Sequence, residues 1–177
     1  DVNIQHDSLR FRRNIERIGE IMAYEISKDF AYSEKNIPTP LGIAPMYTPD
    51  NQVVISTILR AGLPFHHGFL SYLDNAENAF VSAYRKYKDR LNFDIHIEYI
   101  ASPALADKTL IVTDPMLATG SSMELAYQAL LTKGKPAHVH VASIICSRPA
   151  LEYLKKKMPD NTTIWIAALD EGLDDHS

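Results

Sequence analysis

The fold of this chain is decided by the stretch Thr109-Leu-Ile-Val-Thr-Asp-Pro-Met-Leu-Ala-Thr-Gly-Ser-Ser-Met123. Its apolar residues, Leu110 to Val112, predict a short buried strand. After the acid Asp114, the small residues Thr119 to Ser122 predict the start of a helix. The first N–H groups of a helix lack partners within it and lie at the positive end of its dipole. Because a strand that leads into such a turn suits phosphate, the stretch predicts an anion-binding site beside Asp114.

Apolar periodicity and turn residues divide the rest of the chain into alternating strands and helices. The predicted strands are residues 53–59, 78–84, 93–99, 137–146 and 162–168, and the predicted helices are residues 9–30, 63–70, 119–133 and 148–157. The continuous apolar runs at 53–59 and 162–168 indicate buried strands, whereas alternation in 93–99 indicates a half-exposed one. The sequence therefore predicts an α/β fold with a mainly parallel, twisted sheet and helices on both faces.

We assign residues 1–177 to a single domain, because no repeat or linker interrupts the pattern. Residues 1–50 are expected to form an N-terminal helix and a proline-rich arm, since four prolines between Pro38 and Pro49 exclude a helix there. Residues 78–101 are expected to form a small β flap beside the sheet.

The composition excludes some classes of protein. Hydrophobic residues make up 46% of the chain and charged residues 23%, as in ordinary globular proteins. No apolar run approaches the roughly 18 residues of a membrane span, and a net charge of −4 does not suggest a nucleic-acid-binding surface. The single cysteine, Cys146, cannot form an internal disulfide and fits a cytoplasmic protein. Because the chain begins at Asp1 rather than Met, we expect its ends to be incomplete.

Polar residues also follow two other predicted strands. Arg60-Ala61-Gly62 comes after residues 53–59, where a guanidinium and a glycine that allows close backbone approach would suit a second anion. Asp170 and Glu171 follow the last strand. Taken alone, Arg60 would more often be a surface ion-pair partner. Because the carboxyl ends of parallel strands meet at one edge of a sheet, these residues and Asp114 together predict a single polyanion site. No set of metal-binding side chains is predicted.

These residues carry a family resemblance. With its preceding strand, Asp114-Pro-Met-Leu-Ala-Thr-Gly-Ser-Ser122 resembles the phosphoribosyl pyrophosphate (PRPP) motif of the phosphoribosyltransferases, in the form typical of the uracil phosphoribosyltransferase family. Other stretches agree with that family in the same order: Ile37-Pro-Thr-Pro-Leu41, Ile58-Leu-Arg-Ala-Gly62, Ala83-Tyr-Arg85 and Ala167-Ala-Leu-Asp-Glu-Gly172. The resemblance covers almost the whole chain. It implies transfer of the phosphoribosyl group of PRPP to uracil, giving UMP and pyrophosphate, in pyrimidine salvage.

The resemblance also implies roles for the matching residues. Arg60, Ala61 and Gly62 would hold pyrophosphate with the help of Arg85 on the flap, and Asp114 would bind the ribose hydroxyls. The predicted catalytic residues are therefore Arg60, Arg85 and Asp114. The rest of the motif would also bind PRPP, the 5′-phosphate lying against its second half: Pro115, Met116, Leu117, Ala118, Thr119, Gly120, Ser121 and Ser122. The family resemblance further implies Mg²⁺, held mainly through PRPP.

The chain departs from the family pattern in three places. The family's uracil-reading segment, a Gly-Leu-Gly-Asp-Ala-Gly-Asp type stretch, is expected beyond Ser177, so the uracil-binding residues are left unassigned. Ser121 stands where a second glycine is common, and the backbone N–H that serine keeps should make it tolerated. Finally, the basic residues Lys86 and Lys88 follow Arg85 where the family usually turns acidic.

Two alternative functions and two properties of the assembly complete the prediction. One alternative is an RNA-binding regulator of the same fold, although such regulators usually carry a second acid where this chain has Pro115 and need a basic surface. The other is a catalytically silent homologue. The apolar-faced first helix and the proline-rich arm predict a homodimer or higher homo-oligomer, and the resemblance adds GTP as an effector. No membrane or nucleic acid is expected as a partner.

Overall fold

The computed structural model describes residues 7–87 and 93–172, with side chains described outside residues 83–96. The helices are α1 (Ser8–Ser27), α2 (Leu63–Leu70), α3 (Ser121–Leu130) and α4 (Arg148–Lys157), with a 3-10 turn at Leu131–Lys133. The strands are β1 (Tyr32–Thr39), β2 (Gly42–Pro49), β3 (Val53–Leu59), β4 (Glu77–Tyr87), β5 (Phe93–Ala101), β6 (Thr109–Thr113), β7 (Met116–Leu117), β8 (His138–Ser147) and β9 (Thr162–Asp170). No helix in the described ranges has the length and apolar character needed to cross a membrane.

The main sheet has seven strands in the order β5-β4-β3-β6-β8, with β7 and β9 both paired to β8. Every pairing is parallel except that of β4 with β5, which is antiparallel. The strand β4 pairs with β3 from Glu77 to Ser82 and continues as an antiparallel partner of β5. The predicted α/β class with a mainly parallel sheet is therefore confirmed.

Two apolar cores lie on opposite faces of the sheet. On one face, α1 and α2 contribute Ile26, Phe65 and Phe69; on the other, Met123 of α3 and Leu154 of α4 are fully buried. The strand β6 serves both cores, because Leu110 and Val112 face α3 and α4 while Ile111 faces α1 and α2. Burial on both faces explains why this strand is continuously apolar, and helices cover both faces as predicted.

The proline-rich arm is a two-stranded β-hairpin. Residues Tyr32–Thr39 pair antiparallel with Gly42–Pro49, so that Pro38 lies opposite Ile43 and Pro45 lies opposite Asn36. A two-stranded ribbon accepts proline because the missing N–H can face away from the partner strand. The segment predicted only as an extended connection therefore has regular structure of its own.

The prediction of a fully buried final strand is wrong. The strand β9 pairs with β8 and lies at the edge of the sheet; its residues are half-buried from Thr162 to Ile166 and exposed from Ala167 to Asp170. The apolar, β-branched composition indicates a strand, but its place at the edge is set by the order in which the strands assemble. Sequence periodicity alone does not contain that order.

A polar network joins the chain after α1 to β8 and β9 at the edge of the sheet where β8 begins. The Thr163 hydroxyl lies 2.9 Å from His138 Nε2 and donates to Asp29 Oδ2 at 3.4 Å, while Trp165 Nε1 donates to His140 Nδ1 at 3.1 Å. The ligand atoms of Asp29, His138 and His140 lie within 4.8 Å of one another. Because an indole N–H can only donate, Nδ1 of neutral His140 accepts and Nε2 carries the proton, so neither nitrogen offers a metal a free lone pair. We therefore interpret the network as structural.

This network predicts a specific sensitivity to acid. Burial lowers the pKa of His140 from 6.5 to about 4. Between those values the unfolded chain binds a proton that the folded chain does not, so this residue makes stability fall as pH falls from 6.5 towards 4. Between pH 7.5 and pH 5 the free energy of unfolding should fall by about 1–2 kcal/mol more in the parent protein than in His140→Gln, measured by urea unfolding. His67→Gln, at an exposed position of α2, is the control and should follow the parent; equal slopes for all three proteins would contradict the assignment.

Candidate active site

The residues predicted to bind the polyanion lie at the carboxyl edge of the parallel strands. Arg60 follows β3 and Asp114 follows β6, two neighbouring strands whose last paired residues are Thr57 and Thr113. The Thr57 hydroxyl donates to the Thr113 carbonyl at 3.3 Å, which joins the two strand ends. Because β8 and β9 continue the sheet on the far side of β6, the segment after β9 reaches the same edge.

Residues 114–122, here called the phosphate loop, are held along the end of β8. The backbone N–H of Asp114 donates to the Ala142 carbonyl at 3.1 Å, and that of Ile145 donates to the Pro115 carbonyl at 3.1 Å. The short strand β7 then pairs Met116 with Ile145 and Leu117 with Cys146. The loop is therefore a fixed extension of the sheet rather than a free connection.

The loop enters α3 through Gly120, whose backbone conformation favours glycine. Its φ of +79° lies in the left-handed region, and an added Cβ would come within 3.1 Å of Leu154 Cγ and 3.2 Å of Ala150 O, both in α4. Gly120 has no side chain to cap α3, so the first N–H groups of this helix receive no side-chain cap from it. The Thr119 and Ser121 hydroxyls lie 2.8 Å apart at this helix start. Backbone N–H groups and hydroxyls thus form the helix N-terminus that the sequence predicted.

Asp114 carries an unusual protonation equilibrium for a carboxyl group. Burial raises its pKa from 3.8 to about 7, and the hydrogen bond that its Oδ1 accepts from Met116 N at 3.3 Å offsets only part of that rise. A desolvated carboxylate at the carboxyl end of a strand is a strong acceptor for hydroxyl groups of a ligand. A nearby cation would favour its charged form.

Arg60 and Gly62 form a tight turn between β3 and α2. Leu63 N donates to the Arg60 carbonyl and Gly62 N to that of Ile58, both at 3.3 Å, and the Leu59–Arg60 peptide bond is cis. An added Cβ on Gly62 would lie 2.0 Å from the Thr57 hydroxyl, so this close approach requires glycine. Arg60 itself is exposed and makes no ion pair with any side chain that the structure describes. Its guanidinium is therefore available to a ligand from solvent.

The remaining predicted site residue on the flap is Arg85. Its backbone belongs to β4 and pairs with Ile95 of β5, but its side chain falls outside the described residues. The role of Arg85 therefore stays a prediction.

Arg148 also lies at this edge, although the sequence did not predict it as a site residue. Arg148 is the first residue of α4, and its Nε and Nη2 donate to the two carboxylate oxygens of Glu171 at 2.6 and 2.5 Å. The guanidinium lowers the pKa of Glu171, and the two side chains form an exposed ion pair. A signal was present in the sequence, since a cation at the positive end of a helix is unfavourable and calls for a nearby acid.

The raised pKa of Asp114 predicts that this residue lowers stability as the pH rises towards neutrality. The folded chain retains a proton that the unfolded chain releases between pH 3.8 and about 7, so stability falls as pH rises through that window. Asp114→Asn should therefore be more stable than the parent by roughly 1–3 kcal/mol at pH 8 in urea unfolding, with the difference shrinking towards pH 4. Asp160→Asn, at an exposed position, is the control. If Asp114→Asn were no more stable than Asp160→Asn at pH 8, Asp114 would not be a desolvated carboxyl that retains its proton in the folded chain.

Comparison with known proteins identifies the family. The uracil phosphoribosyltransferase family model matches residues 3–177. The chain is 70% identical over 177 residues to a uracil phosphoribosyltransferase of Porphyromonas gingivalis, covering 100% of this chain and 82% of the relative. It is 36% identical over 171 residues to that of Methanothermobacter thermautotrophicus, covering 96% of this chain and 77% of the relative.

Solved structures agree on the fold. A protein of Aquifex aeolicus superposes with a TM-score of 0.87 at 29% identity, covering 97% of this chain and 80% of its own. A hypoxanthine phosphoribosyltransferase of Staphylococcus aureus superposes with a TM-score of 0.59 at 12% identity, covering 90% and 74%, which supports the fold alone. From its sequence, its fold and the phosphate loop together, the chain belongs to the uracil phosphoribosyltransferase family.

Proposed function

We propose that this chain transfers the phosphoribosyl group of PRPP to uracil at the carboxyl edge of its sheet, giving UMP and pyrophosphate for pyrimidine salvage. The single observation that carries the proposal is the phosphate loop, in which Gly120 leads into the uncapped start of α3 beside the half-buried Asp114. Membership of the uracil phosphoribosyltransferase family supports the choice of substrates. The RNA-binding regulator and the silent homologue have no support in these comparisons.

The phosphate loop would hold the 5′-phosphate and Asp114 the ribose. Residues Ala118 to Ser122 offer backbone N–H groups and hydroxyls to the phosphate oxygens, with Pro115, Met116 and Leu117 fixing the loop along β8. Two hydroxyls of the ribose would donate to the Asp114 carboxylate. These contacts hold the sugar at both ends, so that its anomeric carbon faces the base.

The leaving group would be held on the other side of Asp114. Arg60, with Ala61 and Gly62 in its tight turn, would bind the pyrophosphate, and Arg85 would approach from the flap. As the bond to pyrophosphate breaks, positive charge develops on the ribose ring and negative charge on the departing oxygens. Guanidinium groups already in place stabilise that negative charge without reorganisation of solvent. The uracil-binding residues are left unassigned.

The site fits Mg²⁺ held mainly through PRPP. Asp114 supplies one carboxylate beside the loop, while the carboxylate of Glu171 is taken by Arg148. Such a sparse set suits an ion that keeps several waters and binds through substrate oxygens. When bound, Mg²⁺ would supply positive charge to the pyrophosphate oxygens.

A second copy of the chain would cover its exposed apolar surfaces. The tip of the hairpin arm leaves Leu41 fully exposed at 100% of its surface and Ile43 at 74%, and further along β2 Met46 and Tyr47 are 51% and 70% exposed. The helix α1 also leaves Leu9, Phe11, Ile21 and Tyr24 exposed. Apolar surface of this extent is unusual on a monomer and supports a homodimer or larger homo-oligomer. A GTP effector and a cytoplasmic location, which fits the free buried Cys146, stay predictions.

Replacing Arg60 tests the assignment of the leaving-group site. Arg60→Ala should lower kcat/KM for PRPP at least about 100-fold, because the charge that forms on pyrophosphate loses its exposed cation. The unfolding temperature should not change, since Arg60 makes no described ion pair. Arg13→Ala on α1, which removes an exposed pair with Glu16, is the control. Unchanged steady-state kinetics for Arg60→Ala would refute its role.

Charging the arm tests the proposed oligomer. The double variant Leu41→Asp, Ile43→Asp should dissociate the oligomer into monomers at micromolar concentration, measured by sedimentation equilibrium, because carboxylates in an apolar interface are costly to desolvate. Tyr72→Asp is the control, since Tyr72 is 61% exposed and lies outside the arm. A double variant that keeps the parent mass would show that the arm does not form the interface.

A further inference from the structure

Ser147 lies at the corner where β8 ends and α4 begins, beside the phosphate loop. Its side chain is buried, with 3% of its surface exposed. The hydroxyl lies 2.6 Å from the carbonyl oxygen of Ala118 and 3.1 Å from the backbone N of Ala150. Sequence analysis gave Ser147 no role in the site, and its contact with the loop is not needed to cap a helix.

The chemistry of a hydroxyl decides the direction of both contacts. The backbone N–H of Ala150 can only donate, so Ser147 Oγ accepts from it and caps α4. The single hydroxyl proton is then donated to the Ala118 carbonyl, which accepts it at 2.6 Å. Ser147 therefore fixes the direction of one carbonyl group within the phosphate loop.

The direction of that carbonyl fixes the next N–H. In a trans peptide the C=O and the N–H lie in one plane and point in opposite directions. Because the Ala118 carbonyl points to Ser147, the N–H of Thr119 points away from the β8–α4 corner. Gly120 packs against α4, whereas Thr119 is exposed, so the direction away from the corner leads towards solvent.

Ser147 also continues the pairing that holds the loop along β8. The Ile145 N–H binds the Pro115 carbonyl, and β7 pairs Met116 and Leu117 with Ile145 and Cys146. At Ser147 the main chain leaves the strand and turns into α4, so the side chain takes over the bonding at that point. Without the hydroxyl, nothing in this pairing directs the Ala118 peptide, and a rotated peptide would present its carbonyl oxygen to an anion.

We propose that Ser147 is a positioning residue for phosphate binding, and that its hydroxyl aims the Thr119 N–H at the 5′-phosphate by holding the Ala118 carbonyl on the opposite side. The inference rests on the proposed role of the phosphate loop. It concerns only the 5′-phosphate of the substrate, so loss of the hydroxyl should weaken binding of that phosphate and leave binding of pyrophosphate and of uracil unchanged.

Kinetics of Ser147→Ala test the inference. The KM for PRPP should rise about 5- to 10-fold, the range set by loss of one hydrogen bond to the loop. Ribose 5-phosphate, used as a competitive inhibitor, should show the same rise in its inhibition constant, whereas that of inorganic pyrophosphate and the KM for uracil should change less than about twofold. Ser147→Thr keeps the hydroxyl and should restore all these values.

Two further variants separate positioning from helix capping. Asp7→Ala removes a cap that accepts from Leu9 and Arg10 at the start of α1 and should lower the unfolding temperature without changing any constant for PRPP. Ser147→Gly loses the donor but keeps a residue that is tolerated at a cap, so it serves if Ser147→Ala does not fold and should show the same selective loss. Equal weakening of ribose 5-phosphate and pyrophosphate, or no recovery in Ser147→Thr, would overturn the inference.

Gly120→Ala distinguishes failure of the inference from failure of the site. This variant strains the loop itself and should weaken ribose 5-phosphate whether or not Ser147 matters. If Gly120→Ala weakens binding and Ser147→Ala does not, Ser147 has no positioning role and the proposed loop stands. If neither variant changes the inhibition constant, the phosphate binds elsewhere and both proposals fall.

Discussion

The passage of the chain from β6 into α3 depends on a glycine packed against another helix. Gly120 adopts a left-handed conformation that favours glycine, and an added Cβ would lie 3.1 Å from Leu154 Cγ and 3.2 Å from Ala150 O in α4, tighter than an ordinary contact. This contact brings the start of α3 close to the end of β8 and leaves the helix without a side-chain cap. Unfilled backbone donors are costly in a fold and useful in a site, because a substrate phosphate can satisfy them.

The two cores give this passage its rigidity. The strand β6 is buried by α1 and α2 on one face and by α3 and α4 on the other, so its carboxyl end cannot shift without disturbing both. At that end of the strand, desolvation raises the pKa of the half-buried Asp114 to about 7. The fold thus accepts a destabilising carboxyl group at the one place where a hydroxylated sugar would recover its hydrogen bonds, which is the usual trade between stability and function in active sites.

The carboxyl edge of the sheet and the hairpin arm expose different kinds of side chain to solvent. At the carboxyl edge of the sheet, Arg60 is exposed without a described ion-pair partner, whereas the exposed Arg148 is neutralised by Glu171. In the arm, the exposed groups include the large apolar side chains of Leu41, Ile43 and Tyr47, which lie on a ribbon that pairs with itself. An unpaired cation suits an anionic substrate and an apolar ribbon suits another protein surface, so the two exposures have separate explanations.

The sequence by itself determined the class of fold and predicted the candidate phosphate loop. Continuous apolar strands, glycines at strand ends and the Asp114 to Ser122 motif are local patterns, and local patterns follow from the spacing of residue types along the chain. Only the tertiary structure decided that β9 lies at an edge, that the proline-rich arm is a hairpin, and that Ser147 and Arg148 reach across to Ala118 and Glu171. These features join residues that are distant in sequence, and their contacts exist only once strand order and helix packing have brought the residues together.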